Sequence, residues 1–291
     1  MDGIIIINKT KGCTSHDIVY KVKKMLNEKV GHTGTLDPMA EGVLPILIGK
    51  GTQLSKYLIN HDKKYIVELQ LGTKTDTADS EGKIIEEKAV NKKGLSKENI
   101  TKVLQTFIGK QEQVPPIYSA IKVNGKKLYE YARKGQKVEL QPRQIEIYEI
   151  KLIDYSAEKQ QIKFEVYCGK GTYIRSLCED IATKFGTVGY MKSLKRIQVG
   201  NFKIQDSITI EELNKIVENR ELLTNHIITI EKIFENAPSI KLDDRKMKLF
   251  LNGVMLTQKL DEDVYKIYNQ KNEFIGTGTI KNNLLKRDII K

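Results

Sequence analysis

The stretch GHTGTLDPMAEGVLP, residues 31–45, decides how this chain is read. It carries Asp37 between Leu36 and Pro38, in a setting of Gly, Thr and His. Gly31, Gly34 and the Asp37–Pro38 step all resist helix, so the stretch reads as a loop running into a buried strand, VLPILIG (43–49). An acid in such a loop is most often a turn former. Two features point to chemistry instead. Glycine lets a ligand approach the backbone closely, and the apolar neighbours Leu36, Met39, Val43 and Leu44 would place the acid in a partly dry cleft. Both readings stand at this level.

The flanking segments have clear periodicity. DGIIIINK (2–9) reads as a short buried strand, and SHDIVYKVKKML (15–26) as an amphipathic helix capped by Ser15, with Ile18, Val19, Val22, Met25 and Leu26 on one stripe. GTQLSKYLI (51–59) reads as a helix and KKYIVELQLG (63–72) alternates like a strand. TDTADSEG (75–82) reads as a solvated turn, and SKENITKVLQTFIG (96–109) as a helix closed by Gly109. Strands are expected over 143–155, 160–168 and 188–202. A Gly-rich loop at 168–173 should feed a helix with Ile174, Leu177, Cys178, Ile181 and Phe185 on one face. After about residue 235 the texture changes to short strands, VYKIYN (264–269) and NEFIGTGTI (272–280), which mark a small β-rich tail domain.

Composition narrows the function classes. The chain has 291 residues, enough for one large domain and a small one, and 40% of them are hydrophobic, which supplies a core. Against 37 acidic residues stand 49 Lys and Arg, a net charge of +12 that suits a polyanionic partner, nucleic acid first. A lysine-rich face kept for solubility is the competing explanation. Cys13, Cys168 and Cys178 form no CxxC pair and read as reduced thiols. The N-terminal MDGIIIINKTKG has four consecutive apolar residues, too few for a signal or a membrane span, so a cytoplasmic protein is expected.

Metal chemistry is not expected, because His16, His32, His61, His226 and the cysteines lack ligand spacing, and Asp76, Asp79 and Glu81 miss the EF-hand pattern. GKGT (49–52) and GKGTY (169–173) fit neither nucleotide-loop motif, although the second could offer backbone N–H groups to an anion. Arg175 lies four residues before Glu179 and could form a surface pair with it. Alternatively it turns inward to hold Asp37 ionised, since a nearby guanidinium opposes proton uptake by a buried acid. Residues 120–143 carry seven basic residues (Lys122, Lys126, Lys127, Arg133, Lys134, Lys137, Arg143) interleaved with Tyr129 and Tyr131, with Tyr118 just before them. Such a mixture suits RNA backbone contact and base stacking.

Taken together, GHTGTLDPMAEGVLP, INKTKGCTSHDIV, KKYIVELQLGTKTDTADSEG, VPPIYSAIKVNGKKLYEYARKGQ, GKGTYIRSL and SLKRIQVG resemble, in order and spacing, the tRNA pseudouridine-55 synthases of the TruB type. The likeness spans nearly all of residues 3–202, and the last fifty or so residues resemble the PUA RNA-binding domain. It implies an α+β fold: a mixed, largely antiparallel bent sheet flanked by helices over residues 1–235, with 110–142 as a mobile RNA-binding flap, then a small β-rich PUA-like domain over 236–291. It implies an isomerase that flips the T-loop uridine of tRNA and converts it to its C-glycoside without cofactor or metal.

By motif, the resemblance makes Asp37 the nucleophile, Tyr65 the residue stacking on the target base, and Arg175 the partner of Asp37. Leu194 would close the pocket, His32 would enter the RNA loop, and Lys9 would support the catalytic loop. Tyr173, Lys126, Lys127, Arg133 and Lys134 would face RNA. The sequence departs from the family pattern at Thr10, Met39 and Glu41, none of them in the proposed catalytic set. A monomer needing no protein partner and no membrane is expected. The competing readings are a guide-RNA-dependent synthase of a ribonucleoprotein and an RNA-folding chaperone.

Overall fold

The computed structural model describes residues 1–136 and 138–291. Lys137, counted above in the basic segment, lies outside the described residues. A nine-stranded sheet forms the larger part. Its main path runs Gly3–Lys9, Glu41–Ile48, Gly189–Val199, Lys63–Leu71, Gln161–Cys168, Arg143–Ser156, Gly109–Gln113. Every pairing along it is antiparallel except that of Glu41–Ile48 with Gly189–Val199. The expected mixed, largely antiparallel sheet with flanking helices is therefore present.

Alternation explains the central strand. Tyr65, Val67, Leu69 and Leu71 are buried, while the residues between them are half exposed. Those four face the helix Ile174–Lys184, which contributes Ile174, Leu177, Cys178 and Ile181 to the same apolar cluster. Each such fully buried aliphatic chain contributes roughly 1.5–3 kcal/mol of transfer free energy. At the parallel pairing the chains approach so closely that a Cβ on Gly42 would lie 2.2 Å from the Arg196 carbonyl oxygen, and Gly42 has φ of +111°. Only glycine fits there.

Several boundaries differ from expectation. The first helix does span Ser15–Leu26, but Thr14 is its cap: the Thr14 hydroxyl accepts from the Asp17 N–H, and the Asp17 carboxylate accepts from the Thr14 N–H. Ser15 is buried and holds the neighbouring loop instead. Residues 51–59 form a 3₁₀ turn and a four-residue helix, Ser55–Leu58. Gly109 does not close the preceding helix, which ends at Gln105; it opens the edge strand Gly109–Gln113. Residues 110–113 pair with Arg143–Glu146 and so belong to the sheet rather than to a flap. The edge is polar (GKQEQ), which suits a sheet margin and hides the strand from a hydrophobicity pattern.

Residues 239–290 form a second, five-stranded sheet. Besides the two expected strands it includes Ser239–Lys241, Leu256–Thr257 and Leu284–Ile290. Its Phe274 and Ile289 join an apolar cluster with Ile4, Leu47, Leu54 and Phe234 of the larger part. The three cysteines are unpaired; Cys168 and Cys178 are buried.

Candidate active site

The loop carrying Asp37 is held from two sides. Behind it, Lys9 is fully buried, and its Nζ donates to the carbonyls of Thr10 (3.0 Å), Pro38 (3.2 Å) and Ala40 (2.6 Å). The Gly12 N–H donates to Pro38 O at 3.0 Å. The Ser15 hydroxyl accepts from the Leu36 N–H at 2.9 Å and lies 3.1 Å from the Leu36 carbonyl. On the sheet side, Arg196 donates to the carbonyls of Gly34 (2.9 Å) and Val43 (2.8 Å) and lies 3.5 Å from that of Thr35. A loop so tied is a rigid mount, and its one acidic side chain projects into a cavity of about 470 Å³.

Arg175 faces inward. Its Nε lies 3.1 Å from Asp37 Oδ2 and its Nη2 lies 3.3 Å from Oδ1. The same guanidinium donates to the Tyr118 carbonyl at 3.0 Å and the Thr77 carbonyl at 3.3 Å, with Asp79 Oδ2 at 3.7 Å. Glu179 pairs with Lys74 at 3.1 Å, so the surface pairing with Arg175 is not formed. Arg175 is the first-turn residue of its helix, 7% exposed, whereas the Asp37 side chain is 32% exposed on the cavity wall. Burial pushes the Asp37 carboxyl above the ordinary carboxylate range; Arg175 is the main opposing influence, and the nearby Asp79 adds to the rise. The guanidinium thus favours the ionised form and limits the rise that burial causes, without cancelling it.

Tyr65 comes from the central strand and Leu194 from the strand beside it, and both line the cavity. Burial pushes the Tyr65 hydroxyl up to about 12, with Arg196 opposing, so Tyr65 is a neutral phenol at ordinary pH. Tyr173 also lines the cavity, but its N–H donates to Gln113 Oε1 at 2.8 Å, and Gln113 Nε2 donates back to its carbonyl at 3.0 Å. That amide is not free for an anion.

The remaining sequence-predicted residues stand further off. Lys9 lies behind the loop, outside the cavity lining. His32 ends the strand Val30–His32 and also lies outside it; its Nδ1 is buried with no hydrogen-bond partner, and burial lowers its pKa. Lys126 and Lys127 form one arm of a small hairpin that leads into the helix Leu128–Arg133, with Lys134 just beyond. None of Lys126, Lys127, Arg133 or Lys134 lines the cavity, but Tyr129 from that helix does. The Lys127 ammonium and the Arg133 guanidinium each lie 5.4 Å from the Tyr129 ring centroid. The basic segment thus supplies a rim.

Three groups were not singled out. Asp79 belongs to the turn read as solvated, yet it is 4% exposed and accepts from the Thr77 hydroxyl (2.6 Å) and the Glu81 N–H (3.1 Å). Ser15 was read only as a cap. Arg196 falls within the quoted SLKRIQVG, two positions after Leu194. In a strand that spacing puts both side chains on one face, so an arginine two residues from a pocket leucine was a usable signal.

Comparison with known proteins places this geometry in context. Residues 22–174 match the model of the TruB family pseudouridylate synthase N-terminal domain. Residues 175–235 match a tRNA pseudouridylate synthase B C-terminal domain, and 238–286 the C-terminal domain of pseudouridine synthase II TruB. The chain is 45% identical over 288 residues to a tRNA pseudouridine synthase B of Clostridium kluyveri, covering 97% of this chain and 96% of that protein. It is 42% identical over 257 residues to one from Staphylococcus aureus, covering 87% and 84%. Among solved structures, a chain of a Cbf5-Nop10-Gar1 complex aligns with a TM-score of 0.70 and 25% identity, covering 99% of this chain and 83% of that one.

Proposed function

The chain belongs to the TruB family of pseudouridylate synthases, and on that premise we propose that its substrate is tRNA, at the uridine of position 55 in the T loop. The reaction breaks the N1–C1′ bond of the nucleoside and makes a C5–C1′ bond; C5 loses its proton and N1 gains one, so mass is unchanged. A carboxylate cannot reach a base held within a folded loop, so the nucleotide must leave its stack, at a cost of roughly a few kcal/mol. Asp37 meets it in the cavity, Tyr65 stacks on the base, Arg175 positions the acid, and Leu194 closes the wall. His32, Tyr173 and the rim of Lys126, Lys127, Arg133 and Lys134 contact RNA around the site, and Lys9 holds the loop from behind.

The observation that carries this reading is a single one: the Asp37 carboxylate, paired to Arg175 at 3.1 Å, projects from a backbone-tethered loop into a cavity also lined by Tyr65. Preorganised charge in a shaped cleft is what such an isomerisation requires of a protein. Residues 1–235 serve as the catalytic domain and 236–291 as a PUA-like RNA-binding domain. Among the described residues no helix is long and apolar enough to cross a membrane; a cytoplasmic monomer acting alone is the form proposed.

The test is incubation of the purified chain, with no other protein or guide RNA, with unmodified tRNA tritiated at uridine C5. Tritium release with pseudouridine mapped to position 55 is expected. Release only after partner proteins or a guide RNA are added would favour the guide-dependent reading. Binding without release would favour the chaperone.

A further inference from the structure

Gln113 is the last residue of the edge strand Gly109–Gln113, and it is buried where Lys110 and Glu112 of the same strand are exposed. A buried amide needs partners at both its ends. Gln113 gives both to the main chain of one residue. Its Oε1 accepts from the Tyr173 N–H at 2.8 Å, and its Nε2 donates to the Tyr173 carbonyl at 3.0 Å. Tyr173 immediately precedes the helix Ile174–Lys184, is extended at φ −96° and ψ 112°, and makes no side-chain cap of its own. Its carbonyl also accepts the first bond of that helix, from the Leu177 N–H at 3.1 Å. The glutamine therefore clamps the chain at the point where the helix starts, where backbone N–H groups lack intrahelical partners.

The same helix turn makes two more bonds to the chain that leaves the edge strand. The Ser176 hydroxyl donates to the Val114 carbonyl at 2.8 Å, and Arg175 Nη2 donates to the Tyr118 carbonyl at 3.0 Å. Residues 113–118 thus grip residues 173–176 through four hydrogen bonds. Arg175 stands inside the gripped stretch and is the group that reaches Asp37. The charged groups that bear on Asp37 are Arg175, Asp79, Lys9 and Arg196. Lys9 and Arg196 belong to strands of the main sheet and Asp79 to the turn 75–82, so Arg175 alone is carried by the clamped helix turn.

We propose that Gln113, aided by Ser176, is a positioning residue: by clamping the Tyr173 main chain it fixes the first turn of the helix Ile174–Lys184 so that Arg175 meets the Asp37 carboxylate. Without the amide, the Tyr173 N–H and carbonyl lose their shared partner and the first turn can shift. A paired guanidinium and carboxylate depend on close, aligned approach, so such a shift weakens the pair at its far end. The effect on rate rests on the proposed reading of Asp37 as the reacting acid. The effect on the carboxyl itself does not, and it can be read without turnover.

The variant to make is Gln113→Met, which keeps the length of the side chain and can form neither bond. First, the Asp37 carboxyl is titrated by carbon-13 NMR, its signal assigned by its loss in Asp37→Asn. A midpoint about half a pH unit or more above wild type is expected, because Arg175 opposes the rise caused by burial and a displaced guanidinium opposes it less. In an Arg175→Met background the same change at Gln113 should leave the midpoint where it was, since the guanidinium is gone. A wild-type midpoint in Gln113→Met, or equal shifts in the two backgrounds, would overturn the proposal and leave Gln113 a structural amide. Second, single-turnover tritium release should slow about tenfold with T-arm RNA affinity within about threefold. An unchanged rate would overturn the proposal equally. A wild-type chain that releases no tritium would reject the proposed function instead, and the carboxyl titration would still decide the positioning. Should Gln113→Met fail to fold, Ser176→Ala removes one oxygen and one bond of the four and carries the same titration. A smaller upward shift is expected there, and a wild-type midpoint would overturn the proposal.

Discussion

Asp37 and Asp288 have similar neighbours in different surroundings. Asp37 is held by Arg175 and shares its cavity with Tyr65. Asp288, on the last strand, accepts from Tyr57 and pairs with Lys56 on the short helix of the larger part, and the Thr277 hydroxyl donates to it at 3.2 Å. The difference is the void. Asp37 opens onto a 470 Å³ cavity, whereas Asp288 is sealed at the join of the two sheets with its side chain 8% exposed. Burial and the hydrogen bond to Asp288 push the Tyr57 hydroxyl well up, so it is a permanent donor. An acid, a cation and a tyrosine make a joint when nothing can enter and a reaction site when something can. The Asp288 cluster, together with Phe274 and Ile289 packed among Leu54, Ile230 and Phe234, ties the C-terminal sheet to the core.

That contrast is open to attack at both ends. The largest effect is expected from Asp37→Asn: single-turnover tritium release should fall by roughly 10⁴-fold, while tRNA affinity stays within a few-fold. Near-normal turnover would remove Asp37 from the reaction. The same variant should unfold at or above the wild-type temperature at neutral pH. The folded carboxyl has a raised pKa, so it binds a proton more tightly folded than unfolded; stability from this group is present at low pH and declines as pH rises through the window between the ordinary and raised values. Activity runs the other way. On the proposed role of Asp37 it requires the ionised form, so single-turnover rates should fall as pH drops through a value above the ordinary carboxylate range. An acid limb at or below the ordinary value would contradict the burial argument.

Arg175→Met should come next. It breaks a pair in which the arginine is buried and the acid is one-third open, so a loss of about 3 kcal/mol, the low end for a buried pair, is expected from denaturant unfolding. It should also move the acid limb further up, because Arg175 is the main influence holding the Asp37 pKa down. An unmoved limb would show that Arg175 serves folding only.

At the joint, Asp288→Ala should cost about 1.5–3 kcal/mol, chiefly by orphaning the Tyr57 hydroxyl, and leave the rate on an isolated T-arm stem–loop unchanged. A large rate loss on that short RNA would erase the distinction between joint and site. Smallest of all, Lys102→Ala removes an exposed pair with Glu98 (72% and 80% exposed) and should change stability by less than about 0.5 kcal/mol in thermal unfolding.

Much of this was legible from local pattern. The alternation of KKYIVELQL located the central strand, the stripe Ile174, Leu177, Cys178, Ile181 located the helix behind it, and an acid amid Gly, Thr and apolar residues marked the loop. Such signals depend on neighbours a few residues apart, which is the range of backbone propensity and side-chain periodicity. The edge strand Gly109–Gln113 escaped because a sheet margin is polar by necessity, and Asp79 because a buried turn and a solvated one have the same composition.

What the amino-acid sequence determined alone was the central strands and the helix behind them, the basic composition and the acid to watch. Only the tertiary structure decided that Arg175 turns to an aspartate 138 positions away rather than to Glu179, four positions on. It likewise decided that Arg196 stands opposite Tyr65. The physical reason is that both meetings are set by strand register and by which way a helix face is turned. Those follow from burying the apolar stripes of distant segments together, and no local window of sequence contains them.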